Sequence, residues 1–497
     1  MVPFVFKLAK GIKLTEEADK YYITSQTPIR YLRLNRSLFE LIKQVSSGCS
    51  LDEITSKKTP GQCKQIVELV FSMVSKGFLE YNCDVDFNLE NKDMPRISII
   101  IPVRNRPDDI GDCLKSIKNL DYPKEKLEII VVDDGSTDDT VHVIQSYGVK
   151  LICNAFSMGP GKSRNLGEII STGEILAFLD SDCKVSSDWL AKIVPFFSLP
   201  GIGAVGGFVA GYFKASTLDR YEDAFSSLNM GRRIIFNNQA ESRFYVPSCN
   251  FFVRREVFQE LNGFNSHMQV GEDVDFCWRL RDGGYHLLYV PYGVVYHKHR
   301  NRLLIMLKRR FDYGTSEASL YTHHSGKKKI FHCPLNQGLS IIVVLWAILA
   351  RSLLPLWFLG SFFGADFLTK KRLLTLFSPT FSNSSIALSI LRSTFNFWYS
   401  WCFYLIRYYL LLIILLVYAF PTLGLFLIFI LLISSTVDYF LKKPQLSYLS
   451  FLSIYVLEHS FYQSGVFYGC VKQRNYWCLF PKISLLIKKP KSNLQNN

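Results

Sequence analysis

Three continuous apolar runs stand out between residues 95 and 300. They are Ile97-Ser98-Ile99-Ile100-Ile101-Pro102, Leu127-Glu128-Ile129-Ile130-Val131-Val132 and Ile175-Leu176-Ala177-Phe178-Leu179. Runs of this length suit strands buried on both faces of a parallel sheet. Helical stretches are expected between them, over residues 107–119, 138–147 and 161–171. A β-α-β-α-β order predicts a doubly wound α/β domain. Ligands of such sheets bind beyond the carboxyl ends of the strands, so the polar residues after each run are the candidates for chemistry.

The pattern before residue 90 is different. Tyr31-Leu32-Arg33-Leu34 alternates like a strand, and Leu38, Leu41, Ile42 and Val45 recur at helical spacing before Gly48. Thr59 is placed to cap a second helix with Pro60 in its first turn. Ile66, Val67, Val70, Phe71 and Val74 form the apolar stripe of that helix, Gly77 ends it, and Phe78–Tyr81 reads as a closing strand. Residues 1–90 thus read as a small winged-helix-like α+β domain. The polar segment Asn82–Met94 reads as a linker.

After a connecting segment at 301–337, residues 338–436 are strongly apolar, and a basic tail follows over 437–497. Leu339–Phe363, broken by Arg351 and Pro355, either spans a bilayer or lies partly in its interface, because a charge at mid-bilayer is costly. Tyr408–Ser434, interrupted by Phe420-Pro421, suits one tilted span or a tight helical hairpin. The competing expectation is a buried helical core. Lys370-Lys371-Arg372, Arg392, Lys442-Lys443 and Lys488-Lys489 flank these runs. Such clusters favour the cytoplasmic side, which predicts a cell-membrane protein whose α/β domain faces the cytoplasm. Met1–Tyr22 has neither an apolar core of signal-peptide length nor a small-residue cleavage site, so export of this region is not expected.

Composition narrows the picture. Of 497 residues, 48% are hydrophobic and 20% charged, which excludes a disordered chain. The net charge of +15 (57 basic against 42 acidic residues) fits a nucleic acid, an anionic membrane or a phosphate-bearing ligand. The basic residues gather beside the apolar runs, where a membrane explains them better than nucleic acid. None of the twelve cysteines has CxxC spacing, so zinc fingers, iron–sulfur clusters and thioredoxin motifs find no support, and reduced thiols are expected.

The chemistry lies after the strands. Pro102-Val103-Arg104-Asn105 follows the first and Asp133-Asp134-Gly135-Ser136 the second. Adjacent carboxylates at a strand end point in different directions, so one can face a crevice and accept from a ribose hydroxyl or a base N–H. A plain turn with a helix cap at Asp138 is the simpler reading. Gly159-Pro160-Gly161-Lys162-Ser163-Arg164-Asn165-Leu166-Gly167 is no Walker A loop, because Phe156 stands where a glycine is required. Its helix start can still approach an anion, with Lys162 and Arg164 adding positive charge. Asp180-Ser181-Asp182 directly follows the third strand, and two carboxylates so placed can hold Mg2+ or Mn2+ against a diphosphate leaving group. In Gly271-Glu272-Asp273-Val274-Asp275, one carboxylate can take a proton from an attacking hydroxyl, with Arg279 pairing a carboxylate or the acceptor. His297 can complete the metal's ligands, more readily than His299.

Together these motifs, in order over residues 95–300, resemble an inverting family 2 glycosyltransferase with the GT-A fold. The resemblance implies that Asp134 contacts the nucleotide, Asp180 supports the nucleotide sugar, Asp182 binds the divalent cation, and Asp273 is the general base. Pro102, Arg104, Asn105, Lys162 and Arg164 would complete the nucleotide-sugar site, with Glu272 and Arg279 on the acceptor side. The processive-synthase motif QxxRW is missing after residue 279. Residues 28–81 loosely resemble PqqD-like peptide-recognition domains through Leu34-Asn35-Arg36-Ser37, Leu38–Val45, Leu51-Asp52-Glu53-Ile54 and Val70–Leu79. The whole architecture is similar to the mycofactocin-system glycosyltransferases. That likeness implies UDP-glucose as donor and a peptide-derived redox-cofactor precursor as acceptor. A polyprenyl-phosphate or cell-envelope glycan acceptor is the competing expectation, and a non-catalytic peptide-binding membrane scaffold is the alternative of another class.

Overall fold

The three apolar runs become neighbouring strands in the interior of a sheet. The computed structural model describes residues 4–17, 19–81, 94–237, 239, 242–327, 329–375 and 381–486. Lys488-Lys489 and all but Met94 of the expected linker lie outside the described residues. The chain divides into two compact units: residues 1–12, 34–303 and 444–446 form the first, and 13–33, 304–443 and 447–497 the second.

The N-terminal elements are β1 (Phe6–Leu8), β2 (Ile12–Glu17), β3 (Lys20–Gln26), β4 (Ile29–Leu34), α1 (Arg36–Ser46), α2 (Leu51–Thr55), α3 (Pro60–Ser75) and β5 (Leu79–Tyr81). Local chemistry sets their ends. The Asn35 side chain caps α1, and Thr59 with Gln62 forms a capping box ahead of Pro60 at the start of α3. The β2–β3–β4 sheet belongs to the second unit, while β1, the three helices and β5 belong to the first.

The first unit continues with β6 (Ile97–Val103), α4 (Pro107–Lys118), β7 (Leu127–Asp133), α5 (Thr140–Gln145), β8 (Lys150–Cys153), α6 (Pro160–Ile169), β9 (Ile175–Leu179), β10 (Cys183–Val185), α7 (Trp189–Ile193), β11 (Ile202–Gly206), β12 (Val209–Gly211), α8 (Thr217–Phe225), β13 (Ile235–Asn237), β14 (Asn250–Arg254), α9 (Arg255–Glu260), α10 (Glu272–Asp282), β15 (His286–Tyr289) and β16 (Val295–His297). Eight strands form the main sheet in the order β13-β15-β11-β14-β9-β6-β7-β8. From β8 to β9 the pairing is parallel, as the apolar runs predict. Beyond β9 the sheet is mixed, because β14 runs antiparallel to both β9 and β11.

Every residue of β6 and β9 is buried, which two-sided helix cover requires. Gly167 lets α6 lie close on the sheet, since a Cβ there would stand 2.5 Å from the Ile100 side chain. Phe178, Phe258, Phe264 and Phe276 pack with ring centroids 5.0–5.3 Å apart beneath the strand ends. Truncating one such ring to alanine typically costs about 3–5 kcal/mol. A smaller sheet, β10-β16-β12, follows the turn after β9.

The second unit is mainly helical: α11 (Leu303–His323), α12 (Leu335–Leu349), α13 (Trp357–Thr375), α14 (Asn383–Ala419), α15 (Gly424–Lys442) and α16 (Tyr448–Gln473), with β17 (Ile330–Pro334) paired to β18 (Lys482–Leu486). The apolar run across Phe420-Pro421 is a hairpin of α14 and α15, and Asn383–Ala419 and Pro421–Lys442 are each long and apolar enough to cross a membrane. The first run is broken at Arg351, which has φ 48°, and α12 has 15 residues. At 1.5 Å per residue that is about 22 Å, short of a bilayer core of about 30 Å. Charge inside this unit is paired. Arg310 and Arg407 both approach Glu458, at 3.2 and 3.7 Å, as a low-dielectric setting demands.

Candidate active site

Parallel pairing aligns the strand ends. Val103 of β6 is in register with Asp133 of β7, and Asp133 with Cys153 of β8. Pro102 is buried within β6, whereas Arg104 and Asn105 are exposed just beyond it. Asn105 adopts φ 50°, donates its N–H to Ser136 Oγ and accepts from the Thr137 N–H, which locks two strand-end turns together.

The Asp134 carboxylate accepts five hydrogen bonds: from Asn154 Nδ2 (3.0 Å), Ser157 Oγ (2.7 Å), the N–H groups of Met158 (2.8 Å) and Gly159 (3.0 Å), and Ser163 Oγ (3.1 Å). Burial would raise its pKa, but the donors, led by Met158 N–H, outweigh burial and lower it. Asp134 organises the glycine-rich turn, and the amides of Met158 and Gly159, just ahead of α6, point to its carboxylate. Asp133 accepts from the Ser136 N–H through Oδ2 and keeps a buried Oδ1 without a partner among the described residues. Lys162 is exposed, and Arg164, two residues on and so on the opposite side of α6, is buried.

Arg164 is also committed. Its guanidinium bridges Asp180 Oδ1 (2.6 Å) and Glu272 Oε1 (2.9 Å), tying the turn after β9 to the start of α10. Glu272 takes part in this bridge through Oε1. Arg279 is likewise turned inward. It pairs with Asp275 at 2.8 Å and donates to the carbonyls of Leu261 and Gly263, fixing the loop before α10.

Asp182 sits among cations. Its Oδ2 accepts from Arg106 Nη1 (2.6 Å) and Arg300 Nη1 (3.0 Å), and its Oδ1 faces His297 Nε2 at 3.4 Å. Burial opposes ionisation, yet His297, Arg106 and Arg300 together hold this carboxyl well below the usual range. Sequence reasoning missed Arg106 and Arg300. The only signals were their positions, directly after the strand-end Arg104-Asn105 and at the end of His297-Lys298-His299-Arg300.

Asp182, Cys183 and His297 each bring one donor atom within 4.8 Å of the others, and all three are buried. His297 Nδ1 is buried without a partner among the described residues. A carboxylate oxygen not held by arginine beside an imidazole fits a divalent cation. The His299 ring lies beside that of His297 at a 35° tilt, with centroids 4.8 Å apart, and its Nδ1 lies 3.9 Å from Glu222.

Asp273 opens α10 in a different state. Its Oδ2 accepts the Ser248 N–H at 3.3 Å and its Oδ1 the Val274 N–H at 2.8 Å. Burial and the neighbouring Glu272 push its pKa up to about 7, against weaker lowering by these amides and Arg164. A carboxylate that titrates near neutrality is suited to accept a proton from a hydroxyl.

Residues 98–261 match the family described as Glycosyl transferase family 2. Over 46% of its length the chain is 32% identical to Pre-mycofactocin glycosyltransferase of Mycobacterium tuberculosis (strain ATCC 25618 / H37Rv), and it spans 48% of that protein, about half its length. It is also 32% identical over 234 residues to Glycosyltransferase AglE of Haloferax volcanii, covering 75% of that protein. Among solved structures, Mannosyltransferase PcManGT from Pyrobaculum calidifontis is 18% identical, covering 69% of this chain and 95% of its own, with a TM-score of 0.40.

Proposed function

Because the chain belongs to glycosyltransferase family 2, we propose that it transfers a sugar from a nucleotide-sugar donor to an acceptor hydroxyl with inversion at the anomeric carbon. The observation that carries this reading is Asp273, a carboxyl in the first turn of α10 with its pKa pushed up to about 7. Asp273 takes the acceptor's proton as the oxygen attacks. Ser248 N–H orients the carboxylate from one side and Val274 N–H from the other. Asp182 and His297 would hold Mg2+ or Mn2+, which supplies charge neutralisation for a departing diphosphate. Arg106 and Arg300 add fixed positive charge at the same edge. Arg104 and Asn105, exposed beyond β6, face the donor side, and Lys162 can approach its phosphates. Asp180 supports the donor sugar from its place on Arg164.

The finer reading is glucose transfer from UDP-glucose to a peptide-derived redox-cofactor precursor. It is supported by the relative named Pre-mycofactocin glycosyltransferase. A PqqD-like peptide-recognition role for the N-terminal segment belongs to the same proposal. The apolar hairpin α14–α15 favours a membrane location with the first unit on the cytoplasmic side. It also supports a second reading, a lipid-linked or envelope glycan acceptor.

The test is UDP release from UDP-glucose by detergent-solubilised protein with Mn2+, with and without a premycofactocin-type acceptor. Acceptor-dependent release with one added hexose mass is expected. Release that ignores this acceptor but responds to a polyprenyl phosphate would shift the reading to the lipid. No release with any nucleotide sugar would overturn the enzyme reading and leave the scaffold.

A further inference from the structure

The turn between α14 and α15 does not lie where two straight helices would put it. Phe426, in the first turn of α15, packs against Trp401 with ring centroids 6.0 Å apart, and Phe429 packs against Trp398 at 5.9 Å. Trp401 stands 18 residues before the end of α14 (419 − 401), about 27 Å along a straight helix. The turn at Pro421–Leu423 also touches α12. α12 in turn lies beside the first half of α14, where Gln337 donates to Ser393 Oγ at 3.0 Å and Trp398 donates to Ser340 Oγ at 2.8 Å. The hairpin therefore folds back toward the middle of α14. Gln463 of α16 supplies the bend. It accepts from the Leu411 N–H at 3.0 Å and donates to the Tyr408 carbonyl at 2.8 Å, and a side chain inserted into the backbone ladder kinks a helix.

Charge limits the depth of this hairpin. Tyr408–Val437 contains no charged residue, and Arg407 and Asp438 stand at its two ends. The uncharged part of α14 is 12 residues (419 − 407), about 18 Å, and that of α15 is 14 (437 − 423), about 21 Å. A bilayer core is about 30 Å thick, so a crossing would draw Arg407 and Asp438 into hydrocarbon, at a cost. The tip itself is apolar and open, with Tyr418 91% and Phe420 60% exposed. α12 adds a second surface. Ile342, Trp346 and Leu349, continued by Leu353, recur at spacings of 4, 3 and 4 and are all more than half exposed, while Ile341, Val344 and Ala347 are buried. An apolar stripe of that kind, followed by the exposed Arg351, suits a helix lying in the plane of a membrane interface. Lys370-Lys371-Arg372 and Lys442-Lys443 stand at the far ends of α13 and α15, and Arg392 in the first third of α14, where lipid headgroups attract positive charge.

We propose that this unit seats in a single leaflet of a bilayer. The α14–α15 hairpin enters the lipid and leaves it on the same side, α12 lies along the interface, and the basic helix ends meet the headgroups. The chain then crosses nowhere between α12 and α15, although two of these helices are long and apolar enough to span.

The inference rests on the membrane location proposed for the α14–α15 hairpin, and the experiment separates the two. Tyr418→Cys and, separately, Thr422→Cys are made in the full chain. A membrane-impermeant maleimide mass tag is applied to intact spheroplasts, to inside-out vesicles and to detergent-dissolved membranes. Tags on the wild type, with its twelve cysteines, are subtracted, and alkaline carbonate extraction reports membrane attachment independently. The expected result is carbonate-resistant protein in which both variants gain one tag in detergent and none in spheroplasts or vesicles. A tag gained in intact spheroplasts shows that the turn crosses, and overturns the single-leaflet seat alone. A tag gained in inside-out vesicles by carbonate-resistant protein places the tip outside the lipid and also overturns it. Release of the chain by carbonate overturns the membrane location and this inference with it.

Discussion

Asp134 and Asp273 are carboxylates of the same compact unit, one just past the end of β7 and one in the first turn of α10. Five donors surround Asp134 and lower its pKa against burial. Two amides approach Asp273, Glu272 stands beside it, and its pKa rises to about 7. The surrounding donors, rather than the motif in which each residue sits, separate a carboxylate that builds the site from one that can move a proton. Arg164 and Lys162 repeat the contrast: the buried arginine is paired with Asp180 and Glu272, while the lysine two residues earlier is exposed.

The strongest way to break this comparison is Asp273→Asn. Transfer should fall by about 10²–10⁴-fold, the usual worth of a general base, with nucleotide affinity retained in a direct binding measurement. Near-normal turnover would move the base elsewhere. Asp182→Asn should lower transfer by about 10²–10³-fold, the scale of losing one electrostatic stabiliser, and should remove Mn2+ binding. It also leaves Arg106 and Arg300 without their shared carboxylate.

The pH profile follows in size. Below pH 7 the Asp273 carboxyl is protonated and cannot accept a proton, so the rate should drop about tenfold per pH unit on the acid side and level off above neutrality. Stability runs the other way. The folded pKa lies above the ordinary 3.8, so the folded chain binds the proton more tightly and loses stability as pH rises toward 7. Thermal unfolding should therefore show that Asp273→Asn stabilises the protein more at pH 8 than at pH 5.

Asp134→Ala should do the opposite of Asp273→Asn. It strands several buried donors and should cost about 2–4 kcal/mol of stability in thermal or denaturant unfolding. Any effect on rate should come through the loosened 154–163 turn. The smallest effect is expected of Lys162→Ala. An exposed charge is worth about 1 kcal/mol at most, so the donor KM should rise no more than about fivefold with kcat unchanged.

The continuous apolar runs determined β6, β7 and β9 nearly to the residue, because a strand covered on both faces must be apolar throughout. Caps and stops did the same for α1 and α3, where Asn35, Thr59 and Pro60 act within one turn. The order of the motifs likewise indicated the family. Local spacing carries that information, since each motif is one strand end or one helix start.

Tertiary structure alone decided the rest. It reversed β14 within the sheet and put the β2–β3–β4 sheet in a different compact unit from α1, α2 and α3. It also brought Arg106 and Arg300, 194 positions apart by number (300 − 106), onto one oxygen of Asp182. Which carboxylate is saturated and which is left to titrate depends on donors arriving from distant segments. Asn154 and Ser163 meet Asp134, and Ser248 meets Asp273, through chain folding that no local pattern encodes.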